Sequence, residues 1–255
     1  NRFNSLDPIL IPEWRWSYFL NTTAQAFSIF KPRPYPIENK YLIRESSFGS
    51  SSNPEKVFLE TWGFQTNKIR QARCACLKAG KMISVMNLVI SPSNSYDLPF
   101  FGADFVTLPN GHLIALDLQP AMKNDSVHTQ YVWNKLKPIH AKWQSLLPKG
   151  GNVPEEALEY FSPGFLWSRL PLGDEGDQLI DNIIKPAFNE YLKLYLNIVN
   201  DAIEVTNERS LKILDGQRKY MHYRAKKDPA RGMLKGFFGN EWTENYINYI
   251  LFDLQ

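Results

Sequence analysis

The stretch from Leu98 to Pro120, LPFFGADFVTLPNGHLIALDLQP, decides the fold of this chain. It contains two apolar runs on either side of an Asn-Gly pair, which favours the tight turn of a β-hairpin. Strands joined by so short a turn must be antiparallel, because a parallel pair needs a crossover of about a dozen residues or more. The stretch therefore predicts a hairpin at the centre of an antiparallel sheet.

The hairpin continues a longer run of strand-like segments. It is preceded by KVFLETWGF, IRQARCACLKAG and KMISVMNLVIS. A predicted helix, EWRWSYFLNTTAQAFSIF, comes before this run, with Trp14, Tyr18, Phe19, Ala26 and Phe27 as its apolar face. After Pro120 the apolar spacing becomes helical in several segments. Strands in the middle and helices at both ends predict an antiparallel sheet covered by helical layers, in a single domain over residues 1–255.

Composition excludes several classes of protein. The 255 residues are 44% hydrophobic and 14% aromatic, which is ample for a large core, and the net charge of +3 lacks the strong basic bias of a nucleic-acid binder.

No apolar run approaches the roughly 20 residues that span a bilayer. The first residues lack a signal-peptide core, so we expect any targeting segment to have been removed. The two cysteines, Cys74 and Cys76, have no partner cluster for a metal site. We expect a monomer.

One strand of the hairpin carries a carboxyl group in an apolar setting. With a period of two, Asp104 shares a face with Phe100 and Gly102, and the glycine predicts open space beside the carboxyl. Asn87 is a similar lone polar residue, on a face with Val85. The two side chains could line one pocket, or each could bond nearby backbone, since buried polar groups normally find a partner.

Asp228 is the second carboxylate of interest. Its place before a proline is typical of a helix N-cap, which would explain it without any chemistry. However, Gln217, Tyr220, Arg224 and Asp228 also follow one face of the preceding predicted helix. Arg224 would then lie beside Asp228, as an ion pair or as an anchor for an acidic ligand.

Long blocks of the chain resemble the ferredoxin-dependent bilin reductases. The similar blocks are DPILIPEWRWSYFL, DLPFFGADFVTLPNGHLIALDLQPA, YFSPGFLWSRLPLGDEGD, GQRKYMHYRAKKDPARGML and FGNEWTENYINYILFDL. They run over essentially the whole chain and resemble most the branch of the family that acts on 15,16-dihydrobiliverdin.

The resemblance implies a fold and a chemistry. It implies a three-layer α/β/α sandwich, with the central antiparallel β-sheet flanked by helices and an open-chain tetrapyrrole held between the sheet and the C-terminal helices. It implies no bound flavin, metal or nicotinamide, with electrons arriving singly from external reduced [2Fe–2S] ferredoxin. The implied partners are ferredoxin and the bilin, with the upstream bilin reductase as a candidate for substrate transfer. The implied compartment is the plastid stroma or the cytoplasm of a photosynthetic prokaryote.

The resemblance also assigns residues. The two carboxylates of the family fall on Asp104 and Asp228, which we expect to act as proton donors. Relatives that make phycocyanobilin have a histidine where this chain has Asn87, and a glutamate that the RCAC segment lacks. We expect Arg224 to clamp a propionate. The other residues expected to bind the substrate are Val85, Asn87, Phe100, Gly102, Gln217 and Tyr220. Ser162 and Arg169 are candidates for the second propionate, although each could instead be a helix cap or form a surface ion pair.

Two other functions stay open from the sequence. A sister reductase would act on biliverdin IXα, giving 15,16-dihydrobiliverdin or, with four electrons, phycoerythrobilin. A bilin carrier without redox activity would need no proton donors.

Overall fold

The centre of the molecule is an antiparallel sheet. A computed structural model describes residues 4–254, and in this part of the chain the sheet has eight strands. The strands are β1 Arg33–Pro34, β2 Ile43–Ser50, β3 Asn53–Gln65, β4 Ile69–Ala79, β5 Ile83–Pro92, β6 Phe100–Leu108, β7 Gly111–Gln119 and β8 Leu166–Leu170. They lie in the order β1-β3-β4-β5-β6-β7-β8, and β2 also pairs with β3.

The predicted hairpin is confirmed as β6 and β7. The two strands pair from Phe100 opposite Gln119 to Leu108 opposite Gly111. Gly111 adopts a φ of 140°, a value that side-chain-bearing residues rarely adopt, so the glycine of the Asn-Gly pair is needed for the turn. Five predicted strands are thus present with the predicted antiparallel pairing.

Three strands were not predicted from the sequence. β2 has the sequence IRESSFGS and exposes most of its residues, so it lacks the apolar alternation that marks a strand. β8 is only five residues long, and β1 is two residues long and contains a proline. Pairing with β3 and β7 holds these segments in the sheet, and local pattern does not report such pairing.

Helices cover the sheet on both faces. The α-helices are α1 Ser17–Phe27, α2 Asn39–Leu42, α3 Ser126–Gln144, α4 Asp174–Leu179, α5 Lys185–Asp201, α6 Asn207–Lys226, α7 Arg231–Phe238 and α8 Asn240–Tyr246. Short 3₁₀ turns span Ser28–Phe30 and Glu155–Tyr160, and wider π-helical turns span Ile180–Ile184 and Ile247–Leu251. None of the helices within residues 4–254 is long and apolar enough to cross a membrane.

The molecule is a three-layer α/β/α sandwich, as predicted. Helices α1, α3 and α5 share one core with the sheet, where Phe19 and Phe188 pack on Phe105 of β6. Helices α6, α7 and α8 share a second core with the other face, where Tyr220 stacks on Phe100. The alternation of β6 therefore directs Asp104 toward the C-terminal helices.

The N-terminal helix differs from its prediction. It begins at Ser17, so Trp14 is buried but lies outside the helix. Tyr18 is 38% exposed and does not belong to the apolar face. That the whole of residues 1–255 forms one domain stays a prediction, and residues 1–3 and 255 lie outside the described part of the chain.

Candidate active site

A pocket of about 340 Å³ lies between the sheet and the end of α6. Its volume is in the range of small-molecule sites. The sheet, the connector before β8 and the turn after α6 each contribute lining residues. These include Asn87, Gly102, Asp104, Ala115, Asp117 and Gln119 from the sheet, Pro154, Tyr160, Phe161, Phe165 and Trp167 from the connector and β8, and Tyr223, Arg224, Lys227 and Pro229 from the helical layer.

Asp104 and Asn87 lie directly opposite each other on β6 and β5 at the base of this pocket. Their side chains are hydrogen-bonded. Burial raises the pKa of Asp104 above its ordinary value, and the hydrogen bond from Asn87 and the positive charge of Arg224 oppose that rise. The sequence prediction that the two polar side chains line one pocket is thus matched by the geometry.

Arg224 reaches the pocket from α6. Its Nη1 donates to the hydroxyl of Tyr220 at 2.7 Å and contacts Oε1 of Gln119 at 3.4 Å. Burial would lower the pKa of Arg224, but Tyr220 and the carboxylates Asp104 and Asp228 raise it above its ordinary value. The guanidinium therefore stays a cation, held near two acidic groups.

Asp228 lies in the turn between α6 and α7. Its Oδ1 accepts a hydrogen bond from the backbone nitrogen of Ala230 at 2.8 Å. Helix α7 begins only at Arg231 and its N-cap is Ala230, so the predicted N-cap role of Asp228 is wrong: the carboxylate closes the preceding turn instead. Its charge acts on both Asp104 and Arg224, although Asp228 does not itself line the pocket.

Asp104 and Gly102 both border the pocket, but the space directly over Gly102 is filled. A Cβ atom on Gly102 would lie 2.5 Å from Oε1 of Gln119, because the Gln119 side chain crosses the glycine. That same Oε1 accepts a hydrogen bond from Tyr220. The glycine is needed for the passage of Gln119 from the neighbouring strand, which the sequence pattern of β6 alone cannot show.

The model of the ferredoxin-dependent bilin reductase family matches residues 20–253. The chain belongs to this family. It is therefore an oxidoreductase that works with ferredoxin, as the sequence resemblance implied.

Individual relatives are similar over nearly their whole length. The chain is 68% identical to phycoerythrobilin:ferredoxin oxidoreductase from Prochlorococcus marinus (strain NATL2A), covering 100% of this chain and 98% of the relative. It is 56% identical to the protein of the same name from Parasynechococcus marenigrum (strain WH8102), covering 100% and 97%. The crystal structure of phytochromobilin synthase from tomato in complex with biliverdin superposes with a TM-score of 0.82 at 25% identity, covering 94% of this chain and 83% of that one.

Four predicted binding residues of this reductase lie beneath the pocket and do not line it. Phe100 and Tyr220 are fully buried and stack with ring centroids 3.9 Å apart. Val85 is buried in the same core, and Gln217 donates to the carbonyl of Pro92 at 3.1 Å. The hydroxyl of Tyr220 contacts two lining residues, since it donates to Gln119 and accepts from Arg224. The residues predicted to share a strand face or a helix face do so. Along each face, however, some residues lie in the core and others line the pocket.

Ser162 and Arg169 also lie outside the pocket lining. Ser162 donates from its hydroxyl and backbone nitrogen to the two carboxylate oxygens of Asp117, at 2.5 and 2.8 Å. Arg169 lies on the exposed side of β8, and its Nε donates to the carbonyl of Gly150 at 2.6 Å. Both side chains are engaged within the protein, Ser162 as an anchor of the connector.

Two charged residues of the site were missed from the sequence. Asp117 lies on the pocket floor, and burial raises its pKa to about 7 although its bonds with Ser162 oppose the rise. Arg73 is fully buried on β4 beside Asn87. Asp117 is the single charge in the apolar run LIALDLQ, which is the same signal that marked Asp104. Arg73 shares the run IRQARCACL with Arg70, so its signal is weaker. Within residues 4–254, no group of three or more His, Cys, Asp or Glu side chains is arranged to hold a metal ion.

Proposed function

We propose that the chain reduces 15,16-dihydrobiliverdin to phycoerythrobilin with electrons from reduced [2Fe–2S] ferredoxin. The observation that carries the proposal is the pair of carboxylates Asp104 and Asp228, both of which act electrostatically on Arg224, in a chain 68% identical to a phycoerythrobilin:ferredoxin oxidoreductase. The biliverdin complex of the tomato enzyme, which has the same fold, supports a bilin in this pocket. The cyanobacterial relatives favour the cytoplasm of a photosynthetic prokaryote over a plastid.

The proposed reaction adds two electrons and two protons to the substrate. Each electron comes from one ferredoxin, so the bilin passes through a radical state. Asp228 gives a proton to the vinyl system of the A-ring, and Asp104 holds the protonated bilin near its pyrrole nitrogens and supplies the second proton. Burial suits Asp104 to this role, because a raised pKa keeps the acid protonated closer to neutral pH. Arg224 pairs with a propionate of the substrate.

An anaerobic assay tests the reaction. The protein is incubated with reduced ferredoxin and either 15,16-dihydrobiliverdin or biliverdin, and absorbance spectra are recorded over time. We expect phycoerythrobilin from 15,16-dihydrobiliverdin only. Turnover of biliverdin would instead identify a sister reductase, and bilin binding without turnover would identify a carrier.

Substitutions test the two proton donors. In Asp104→Asn and Asp228→Asn, we expect the rate to fall about 100-fold or more, since a positioned general acid contributes at least that much. Asp215→Asn is the control, because Asp215 is an exposed residue of α6 that pairs with Lys219. Unchanged rate and product in Asp228→Asn would show that its proposed role is wrong.

A further inference from the structure

Arg73 is a buried charge without a bonded carboxylate. It projects from β4 into the core beneath the pocket and has no exposed surface. Among the described residues, no acidic side chain is hydrogen-bonded to it, and its Nη2 has no hydrogen-bond partner. A buried charge of this kind is costly unless a nearby group of opposite charge compensates it. The acid whose pKa Arg73 lowers is Asp104.

Contacts with two segments of the chain fix the position of the guanidinium. Its Nε donates to the carbonyl of Leu251 at 3.1 Å, and the group lies 5.1 Å from the ring centroid of Phe252. Its Nη1 donates to the backbone carbonyl of Asn87 at 2.8 Å and also to the side-chain oxygen of Asn87. The C-terminal segment therefore holds Arg73 against β5.

The contact with Arg73 determines which way the Asn87 amide points. Guanidinium groups only donate hydrogen bonds, so the atom of Asn87 that faces Arg73 must be the oxygen. The amide nitrogen then points to the other side, where Asp104 lies directly across the strand pair and bonds to Asn87. Asn87 is thus a hydrogen-bond donor to the Asp104 carboxylate.

We propose that Arg73 is a positioning residue that sets the proton affinity of Asp104 by orienting Asn87. Its charge polarises the amide, and the oriented N–H group stabilises the carboxylate form of Asp104. The pair counteracts the burial that favours the protonated acid, which keeps Asp104 able to release its proton. The consequence for catalysis rests on the proposed function, but the effect of Arg73 on the proton affinity of Asp104 does not.

Other charges also act on Asp104 and must stay constant in a test. Arg224 and Asp228 face it from the helical layer and have opposite effects on its pKa. Tyr223 and Lys227 from the same layer, Tyr160 from the connector and Asp117 from β7 line the same pocket. The substitutions below leave all of these in place.

The test is a pH titration of the Asp104 carboxyl in the bilin-free protein. The C=O band of the protonated acid is followed by infrared difference spectroscopy and assigned by its loss in Asp104→Asn. In Arg73→Met we expect the titration midpoint to rise by about one pH unit. Arg73→Lys, which keeps a charged donor, should restore at least half of that shift. The pH profile of bilin reduction should move in the same direction.

A second substitution removes the hydrogen-bond donor of Asn87 and leaves Arg73 in place. Asn87→Leu should raise the midpoint about as much as Arg73→Met, because both changes remove the oriented donor. Arg73→Met/Asn87→Leu should exceed Asn87→Leu only by the direct effect of the Arg73 charge on Asp104, which is smaller than that of the Asn87 hydrogen bond. If Arg73→Met does not fold, Asn87→Leu and Arg73→Lys carry the test. An unchanged midpoint in Asn87→Leu, or equal shifts in Arg73→Lys and Arg73→Met, would overturn the proposal. Since the titration needs neither bilin nor ferredoxin, failure of the enzyme assay leaves its result unaffected.

Discussion

Two carboxyl groups open onto the pocket from neighbouring strands, Asp104 on β6 and Asp117 on β7. Burial raises the pKa of both, but their partners differ. Asp117 accepts two hydrogen bonds from Ser162 and anchors the aromatic connector over the pocket. Asp104 bonds to Asn87, a donor whose own orientation depends on Arg73. One carboxyl group thus supports the architecture, while the other is the group to which the proposed function assigns proton transfer.

The raised pKa of Asp117 predicts a pH dependence of stability. In the folded chain this acid keeps its proton up to about pH 7, whereas its ordinary pKa is 3.8. The folded state binds more protons in this window, so the free energy of unfolding falls as the pH rises from about 4 to about 7. In Asp117→Asn we expect this decline to be shallower by up to about 1.4 kcal/mol per pH unit, measured by urea unfolding.

The control for this measurement is Asp215→Asn, which changes an exposed carboxylate of α6 and should leave the slope as it is in the parent chain. Equal slopes in the parent and in Asp117→Asn would contradict the prediction.

At the scale of elements, the pocket floor depends on how closely side chains of β6 and β7 pass each other. The sequence pattern identified both strands, their faces and the lone acid, because alternation is a local property. It misjudged Gly102, because the atom that occupies the space beside it comes from Gln119 on the other strand. It also missed β2 and β8, whose short or exposed runs become strands only by pairing. Errors of this kind arise where the deciding contact is distant in sequence.

The substitution Gly102→Ala tests whether the passage of the Gln119 side chain over Gly102 matters for bilin binding. In Gly102→Ala the new Cβ would displace Gln119, which would lose its contacts with Tyr220 and Arg224. We expect bilin affinity to fall about tenfold, equivalent to about 1.4 kcal/mol, as followed by absorbance titration. The double variant Gly102→Ala/Gln119→Ala has no clash and should bind as Gln119→Ala does.

Gly236→Ala is the matched control for this experiment. Nothing lies within 4 Å of a Cβ atom at this glycine of α7, so bilin affinity should not change. The substitution should stabilise the helix by about 0.5–1 kcal/mol. If Gly102→Ala bound bilin as tightly as Gly236→Ala, the crossing of Gln119 would not matter for binding.

At the scale of the whole molecule, a charged cluster joins the two helical layers past the ends of the strands. Arg209 of α6 donates to Asp97 at 2.6 and 2.8 Å and to Asp125, the N-cap of α3, at 2.7 and 2.9 Å. His128 of α3 bonds to Asp97 as well, at 2.6 Å. Helix α6 carries Arg224 nearer its other end, so this cluster ties the helix that closes the pocket to the opposite layer.

Removing the central cation of this cluster should weaken the whole fold. In Arg209→Met two mostly buried carboxylates lose the cation that they share, while Asp97 keeps His128 and Asp125 keeps Lys212. Because some compensation remains, we expect the free energy of unfolding to fall by about 2 kcal/mol, less than for an unpaired buried charge. Lys219→Met breaks an exposed pair of the same helix and should cost less than about 1 kcal/mol. Urea unfolding measures both, and equal effects would contradict the prediction.

The effect of Arg209→Met should also depend on pH. Arg209 holds the pKa of Asp125 below its ordinary value, and the bonds from His128 and Arg209 do the same for Asp97 against the effect of burial. The stabilisation is therefore complete above about pH 4 and is lost as the pH falls further. The difference between the parent and Arg209→Met should shrink in that acidic range.

The order of the elements along the chain has a consequence for synthesis. Strands β3 to β7 each pair with the next in sequence, so most of the sheet forms through local hairpins, which favours rapid folding. The sheet is complete at Leu170, but the helix that bears Arg224 and the turn that bears Asp228 follow more than thirty residues later. A chain emerging from the ribosome N-terminus first therefore presents the polar floor of the pocket before its roof exists. Under the proposed function, a bilin can therefore be enclosed only after α6 and the turn that follows it have been synthesised.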